Sequence, residues 1–438
     1  MTDGKTLKGE WTIPTRVSYR SGLYELRPLE IIDSTLREGA QSSLLHDYGK
    51  FFFSREDKVE LVRALIIYGV KFIELFAPTV SRQERDDLAA VQETRDAMIT
   101  EKGYTFLLAH VRCHPGDIAS AIEAGFDGLN LFLGTSEHAC RHSHGRDLKA
   151  IARDARSLIE QAKRDHPHLI LRFSGEDAFR TPARDLFRVY DEIAPLVDRV
   201  GVPDTVGVAT PAYVRERLRS LQDRYPDQEW EAHFHDDRGF ALLNALEATD
   251  AGARYIDTTV LGIGERSGIT SMTALLFNLF IDRQSNLLEG YHLSDSYPVN
   301  VLLAAKLNML VNDKEPVNLT NRTHTAGVHQ KAVLNDALTY EAHPLDQFGV
   351  TESEILLGPL SGWNMVYYFL KEIEYFKIKP STAKAIARVF KERVYEMPSG
   401  AAPSQLLMEI AEQGFGLERL DIPVTYRDSI LQDLTESH

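Results

Sequence analysis

Two short stretches carry the residues best suited to chemistry. Leu29 to Gln41 reads LEIIDSTLREGAQ and presents Asp33, Arg37 and Glu38; Glu231 to Gly239 reads EAHFHDDRG and presents His233 and His235. Each reads as a β-strand whose C-terminal end is polar. Successive strand side chains point to opposite faces, so His233 and His235 project the same way. One carboxylate with two imidazoles is a donor set for a divalent cation. Neutral imidazole suits zinc, manganese or iron, and the carboxylate shifts the balance toward harder ions. An H-x-H pair alone also fits two histidines on a polar rim. The partner strand, with Arg37 beside Glu38, favours the metal site over a rim without metal.

The elements that must position these groups alternate along the chain. Eight β-rich runs begin at Leu29, Val70, Tyr104, Gly128, Leu169, Arg199, Glu229 and Arg254. Amphipathic patterns separate them. In SREDKVELVRALIIYG, Ser54 is placed as N-cap, Asp57 occupies the capping-box position, Val59, Val62, Leu65 and Ile66 share a face, and Gly69 follows as C-cap. A second helix, HPGDIASAIEAGF, ends at Gly125. Eight β-then-α units predict an α/β chain folded as a (β/α)8 TIM barrel. An open doubly wound sheet ranks below it, because no Gly-rich dinucleotide loop follows the first strand. Reactive groups in such barrels gather at the C-terminal strand ends. Arg37, Glu38, Glu74, His110, Arg172, Ser174, Glu176, Asp204, Thr205, His233 and His235 all fall there, and the loop GIGERSG follows strand eight.

Bulk properties bound the rest. The 438 residues exceed one barrel of about 250 residues, so further modules follow it. The alternation predicts an N-terminal extension at 1–28, the barrel at 29–283, a helical or linker subdomain at 284–358 and a C-terminal helical subdomain at 359–438. A formal charge of −15 argues against nonspecific nucleic-acid binding. Two cysteines, Cys113 and Cys140, fit a reducing compartment and read as small hydrophobes. No apolar run reaches membrane-spanning length and the N-terminus lacks a signal-peptide core, so a cytoplasmic protein without membrane contact is expected.

Eight strings in order carry a resemblance: STLREGAQ, HVRCH, GTSEHACRHSHGRD, RFSGEDAFR, PDTVGVATP, HFHDDRG, GARYIDTTVLGIGERSGIT and THTAGVHQKAVLNDALTYE. From about Leu29 to Leu370 the chain resembles the metal-dependent family that contains homocitrate synthase, 2-isopropylmalate synthase and 3-hydroxy-3-methylglutaryl-CoA lyase, and it looks most like a homocitrate synthase-type member. That resemblance implies that Glu38, His233 and His235 ligate a divalent metal (Zn, Mn or Mg). It places Arg37 beside the keto oxygen, and His110, Arg172, Ser174 and Thr205 around a 2-oxo acid, with Gln41 supporting the pocket. It assigns His329 and Tyr340 to the partner's barrel in a homodimer with shared active sites, and with Glu231 they form a candidate proton relay.

The implied reaction is a Claisen condensation of acetyl-CoA with a 2-oxo dicarboxylic acid, followed by release of CoA. A guanidinium and its neighbours at the distal end favour an anionic tail, which makes 2-oxoglutarate the first acceptor and homocitrate the product. Oxaloacetate, giving citrate, and a phosphono or phosphinyl pyruvate are alternatives. Several residues depart from the usual family pattern: Asp236 and Ser267 stand where Asn is usual, Thr325 where Lys is usual, and the SSLLHDYGKFFF loop is long. Arg238 replaces a small residue and is read as an added anion contact. A carbon–carbon lyase would use a cysteine near GIGERSG, and none lies beyond Cys140. A non-catalytic binding paralogue is disfavoured by the intact site residues. His114, His142 and His144 read as structural or solvent-facing, and Glu265 and Arg266 as partners of barrel-end neighbours.

Overall fold

The computed structural model describes residues 28–99, 103–282 and 288–420. The expected N-terminal extension lies outside these residues apart from its last position. The eight expected strands are β1 (Glu30–Asp33), β2 (Phe72–Phe76), β3 (Phe106–Arg112), β4 (Gly128–Gly134), β5 (Ile170–Glu176), β6 (Arg199–Asp204), β7 (Trp230–Phe234) and β8 (Tyr255–Thr258). They close in chain order into a parallel barrel, with β8 pairing β1. The fold is therefore the (β/α)8 barrel that the alternation of patterns predicted.

The local signals act as the sequence implies. The helix Arg55–Tyr68 carries a reciprocal capping box: Asp57 N donates to Ser54 Oγ at 3.2 Å, and Ser54 N donates to Asp57 Oδ2 at 2.9 Å. Gly69 ends the helix at φ +100°, and a Cβ there would meet the Gly290 carbonyl at 2.1 Å. The buried stripe is Leu61, Val62, Leu65 and Tyr68; Val59 and Ile66, expected on it, are only half-buried. Outward residues of the strands, such as Leu129, Leu171 and Phe234, are fully buried against the helices. Burial of each such side chain contributes about 1.5–3 kcal/mol.

Strand alternation organises the bore into levels. At the N-terminal end Ile32, Phe72 and Leu108 cluster with Phe106, Ile170 and Tyr255. Above them come Glu74 and Arg172, two residues beyond Phe72 and Ile170 on their strands, with Asn130 of β4 in register with Arg172. On β7 the inward sequence is Glu231, His233 and, just past the strand, His235. Arg199 bridges the lower levels: its guanidinium lies 5.1 Å from the Phe72 ring centre, and its Nε donates to Glu231 at 2.6 Å.

The compact units differ from the expected divisions. Among the described residues one comprises 28–318 and Leu345–Gly349, the other Leu319–Pro344 and 350–420. The break expected after residue 283 falls inside the first unit because the helix Ser296–Lys306 packs on the barrel: Ser296 Oγ lies 2.8 Å from Tyr68 Oη, and Lys306 pairs with Asp57 and Glu60. The break expected after 358 falls inside the second unit. There Gln330 Nε2 donates to the Leu356 carbonyl at 2.6 Å and Gly327 N to the Leu360 carbonyl at 3.1 Å. The second unit is mainly helical, around Val366, Leu370, Phe376, Ile386, Phe390 and Leu407. Among the described residues no helix is long and apolar enough to cross a membrane.

Burial pushes the Asp33 carboxyl up to about 7 against hydrogen bonds from Thr35, and Asp257 adds repulsion. The native state then keeps a proton that the unfolded chain gives up near pH 4. The stability tied to Asp33 is complete below about pH 4 and is lost as pH rises through about 7. Asp33→Asn is expected to melt at a higher temperature than the parent at pH 8, with the difference shrinking toward pH 4; melting curves across that range check it, and a pH-independent difference would contradict it.

Candidate metal and active site

At the C-terminal end of the bore, Glu38, His233 and His235 bring one donor atom each within 4.8 Å of one another, all buried. Two devices place them. The turn after β1 holds Glu38, whose amide donates to the Ser34 carbonyl at 2.7 Å, and whose Oε1 accepts from the Glu265 amide at 3.0 Å. On β7, the register that aligns Ala232 with Ile256 brings His233 beside Asp257, and His233 Nδ1 lies 2.7 Å from Asp257 Oδ2. That contact fixes the tautomer and leaves Nε2 for a ligand. His235 Nε2 is 3.9 Å from Glu38 Oε1, and its buried Nδ1 has no hydrogen-bond partner.

Electrostatics fit a cation. Arg37 pairs with Glu38, with Glu74 at 2.6 Å, and with Asp257 at 3.6 Å. Three carboxylates against one guanidinium leave an excess of two negative charges. Burial opposes ionisation of Glu38, yet Arg37 and the two imidazoles hold it down at about 2. Burial and the His233 charge push His235 down to about 4, so it is neutral and able to ligate at neutral pH. For His233 burial works against the proton, but Asp257 and Glu38 outweigh it and raise its value. One imidazole held neutral, a second that is braced by a carboxylate and gives up its Nε2 proton to a cation, and the Glu38 carboxylate match a divalent-ion donor set.

A cavity of about 360 Å³ opens beside this trio. Arg37, Gln41, His110, Arg172, Ser174 and Thr205 line it together with the three metal-site residues, as the resemblance implies. Room for the Arg172 guanidinium comes from Gly201 on the next strand, where a Cβ would meet Arg172 Cζ at 2.7 Å. Arg172 Nη2 pairs with Glu231 Oε1 at 2.7 Å, while its buried Nε has no hydrogen-bond partner. His110 stacks on Phe132 with ring centres 4.4 Å apart, and burial and Arg37 hold its value down. Glu176, its carboxyl pushed up by burial and by Asp177, also faces the cavity.

Four expected residues lie outside the cavity lining. Arg238 does not line the cavity: it donates to the Val208 carbonyl at 2.9 Å and covers the Phe240 ring, so the added anion contact read from its position is corrected. The rim arginine is Arg266, paired with Asp237 at 2.7 Å and bonded to the Thr205 carbonyl. Glu231 is fully buried one level down, held between Arg172 and Arg199, and lies outside the cavity lining. His329 and Tyr340 belong to the second unit, where their rings stack 4.0 Å apart and both are exposed.

Asp257 and Asn130 were missed by sequence reasoning; Asn130 bridges Glu74 and Arg199. The signal for Asp257 is present in RYIDTTV, where an acid stands two residues after Tyr255 on the inward face of a strand. Other groups are structural. His114 Nδ1 caps its helix by accepting from Gly116 N at 3.2 Å, and burial pushes Cys113 up to about 12. Both cysteines are unpaired.

Residues 28–298 match the HMGL-like family model, and residues 319–396 match the homocitrate synthase post-HMGL domain-like model. The mitochondrial homocitrate synthase of Yarrowia lipolytica is 37% identical over 82% of this chain and 77% of its own. The cytosolic isozyme of homocitrate synthase from Saccharomyces cerevisiae is 36% identical over 78% of this chain and 77% of its own. The hydroxymethylglutaryl-CoA lyase structure from Pseudomonas aeruginosa shares the fold, with a TM-score of 0.55 and 19% identity over 66% of this chain and 96% of that one. The chain belongs to the HMGL-like family. Within it, both the barrel and the module that follows match homocitrate synthases.

Loss of the brace on His233 gives a direct check. Asp257→Asn is expected to weaken divalent-metal binding about 10–100-fold, read by titration of the metal-free protein, while Arg238→Thr leaves it unchanged. Equal affinity of Asp257→Asn and parent would remove the metal-site geometry.

Proposed function

We propose that the chain joins acetyl-CoA to 2-oxoglutarate and releases CoA and homocitrate. The observation that carries this reading is one cavity holding the Glu38, His233 and His235 donor set together with Arg37, His110, Arg172, Ser174 and Thr205, in a chain 36–37% identical to homocitrate synthases. The chain is an acyl-CoA-dependent synthase, and the matched post-barrel module supports the same reading.

Glu38, His233 and His235 would hold a divalent cation, which when bound would supply Lewis acidity toward the keto group. Of zinc, manganese and magnesium, the two imidazoles favour the first two, because magnesium prefers oxygen donors. Arg37, immobilised by Glu74, directs a fixed positive charge at the oxygen where negative charge develops. Arg172, with its free buried Nε, and the Ser174 and Thr205 hydroxyls bind the carboxylates of the acceptor. Glu231 acts through Arg172: by holding one side of the guanidinium it turns the other toward the cavity. The exposed His329–Tyr340 stack takes the thioester methyl proton, in our reading within the barrel of a second subunit. The methyl carbon bonds to the keto carbon, the keto oxygen ends as a hydroxyl, and water cleaves the thioester. The cytoplasm fits the unpaired cysteines.

The decisive experiment is thiol release from acetyl-CoA. Release should require both a divalent metal and a 2-oxo acid, with 2-oxoglutarate ahead of oxaloacetate and phosphonopyruvate. Arg37→Ala should lower kcat about 10²–10³-fold, and Arg172→Ala should raise the acceptor KM. Arg238→Thr should leave the acceptor ranking unchanged. Turnover without metal, or a preference for another acceptor, would overturn this assignment.

A further inference from the structure

A second cavity, of about 960 Å³, opens at the same end of the barrel, where β4 and β5 hand over to their helices. It shares a wall with the metal site. Thr135, which lines it, donates through both N and Oγ1 to the Glu176 carbonyl at 3.0 Å, and the Glu176 side chain faces the metal cavity.

The charges of this cavity are unequally matched. Five acids line it, and each is already engaged. Glu137 pairs with Arg141, Asp185 with Arg188, and Asp191 with Arg224. Glu192 pairs with Arg156, and Asp147 caps its helix by accepting from Lys149 N at 3.1 Å. Among the cations, the side chains of Lys149 and Arg153 have no ion-pair or hydrogen-bond partner among the described residues. Both are exposed and stand one helical turn apart on the helix Leu148–Asp165. Cys140, Leu148 and Pro182 add an apolar flank. Two exposed cations without protein partners beside an apolar wall, in a cavity of this size, suit a phosphorylated nucleotide better than a small dicarboxylate.

We propose that this cavity holds the 3′-phosphorylated adenosine diphosphate end of the acyl-CoA, with Lys149 and Arg153 on its phosphates and the pantetheine arm crossing the Thr135–Glu176 wall to the metal site. This rests on the synthase reading for its choice of nucleotide. It assigns the donor's recognition to β4 and β5, apart from the groups that hold the acceptor.

The test uses the full chain and a Lys149→Ala/Arg153→Ala variant. An Arg82→Ala control removes a cation that is 93% exposed on another helix. Titration with adenosine 3′,5′-bisphosphate should show the double variant about tenfold weaker than the parent, with the control unchanged. In turnover the KM for acetyl-CoA should rise by a similar factor, while kcat and the 2-oxo acid KM hold. Loss of the 3′-phosphate, in dephospho-CoA, should erase most of the difference between parent and double variant. Equal nucleotide binding by the two proteins overturns the proposal. So does inorganic phosphate binding this pair as tightly as the nucleotide, which would make it a simple phosphate site. If the parent releases no thiol with any 2-oxo acid, the synthase reading fails separately, and the nucleotide titration still decides the cavity.

Discussion

Arg37 is a cation taken out of water and surrounded by Glu38, Glu74 and Asp257, and the organisation of the site depends on it. Burying an uncompensated charge costs several kcal/mol, so the guanidinium is tolerable only where those carboxylates converge. They come from the turn after β1, from β2 and from β8. Closing the barrel between first and last strands is therefore also what assembles the site. The acids overcompensate Arg37, and the surplus negative charge beside two imidazoles is what makes the mouth of the bore a place for a divalent ion.

The same alternation sets the inward side chains at two depths of the bore. On β5 and β7 alike, one inward residue feeds the polar middle level and the next feeds the mouth: Arg172 then Ser174, Glu231 then His233. Glu231 is central in the lower level because it bonds both Arg172 and Arg199. Removing it would leave two buried guanidiniums unmatched. This makes it the holder of both guanidiniums, in a position that solvent does not reach.

Much of this was legible in the sequence. Strand and helix periods, the capping box at Ser54 and the clustering of polar residues at strand ends marked out the barrel and its reactive end. Glu38, His233 and His235 were readable because metal donors at i and i+2 on a strand must share a face. Position along the chain misled for Arg238: it follows the histidines closely but lies past the strand, where a turn carries it to Val208 and Phe240. Asp257 was passed over because its partner, His233, is set by inter-strand register, which no single strand displays. The boundaries after residues 283 and 358 failed for a related reason. Composition changes there, but the contacts of Tyr68 with Ser296 and of Gln330 with Leu356 cross both points.

Gly201 has a reach out of proportion to its size. The space it leaves is filled by the Arg172 head group, so a hydrogen on one strand determines where a charge sits on its neighbour. Adding even a methyl group there would force that charge to relocate. The electrostatics of this bore thus depend on a position outside the cavity lining, and a comparison restricted to lining residues would overlook it.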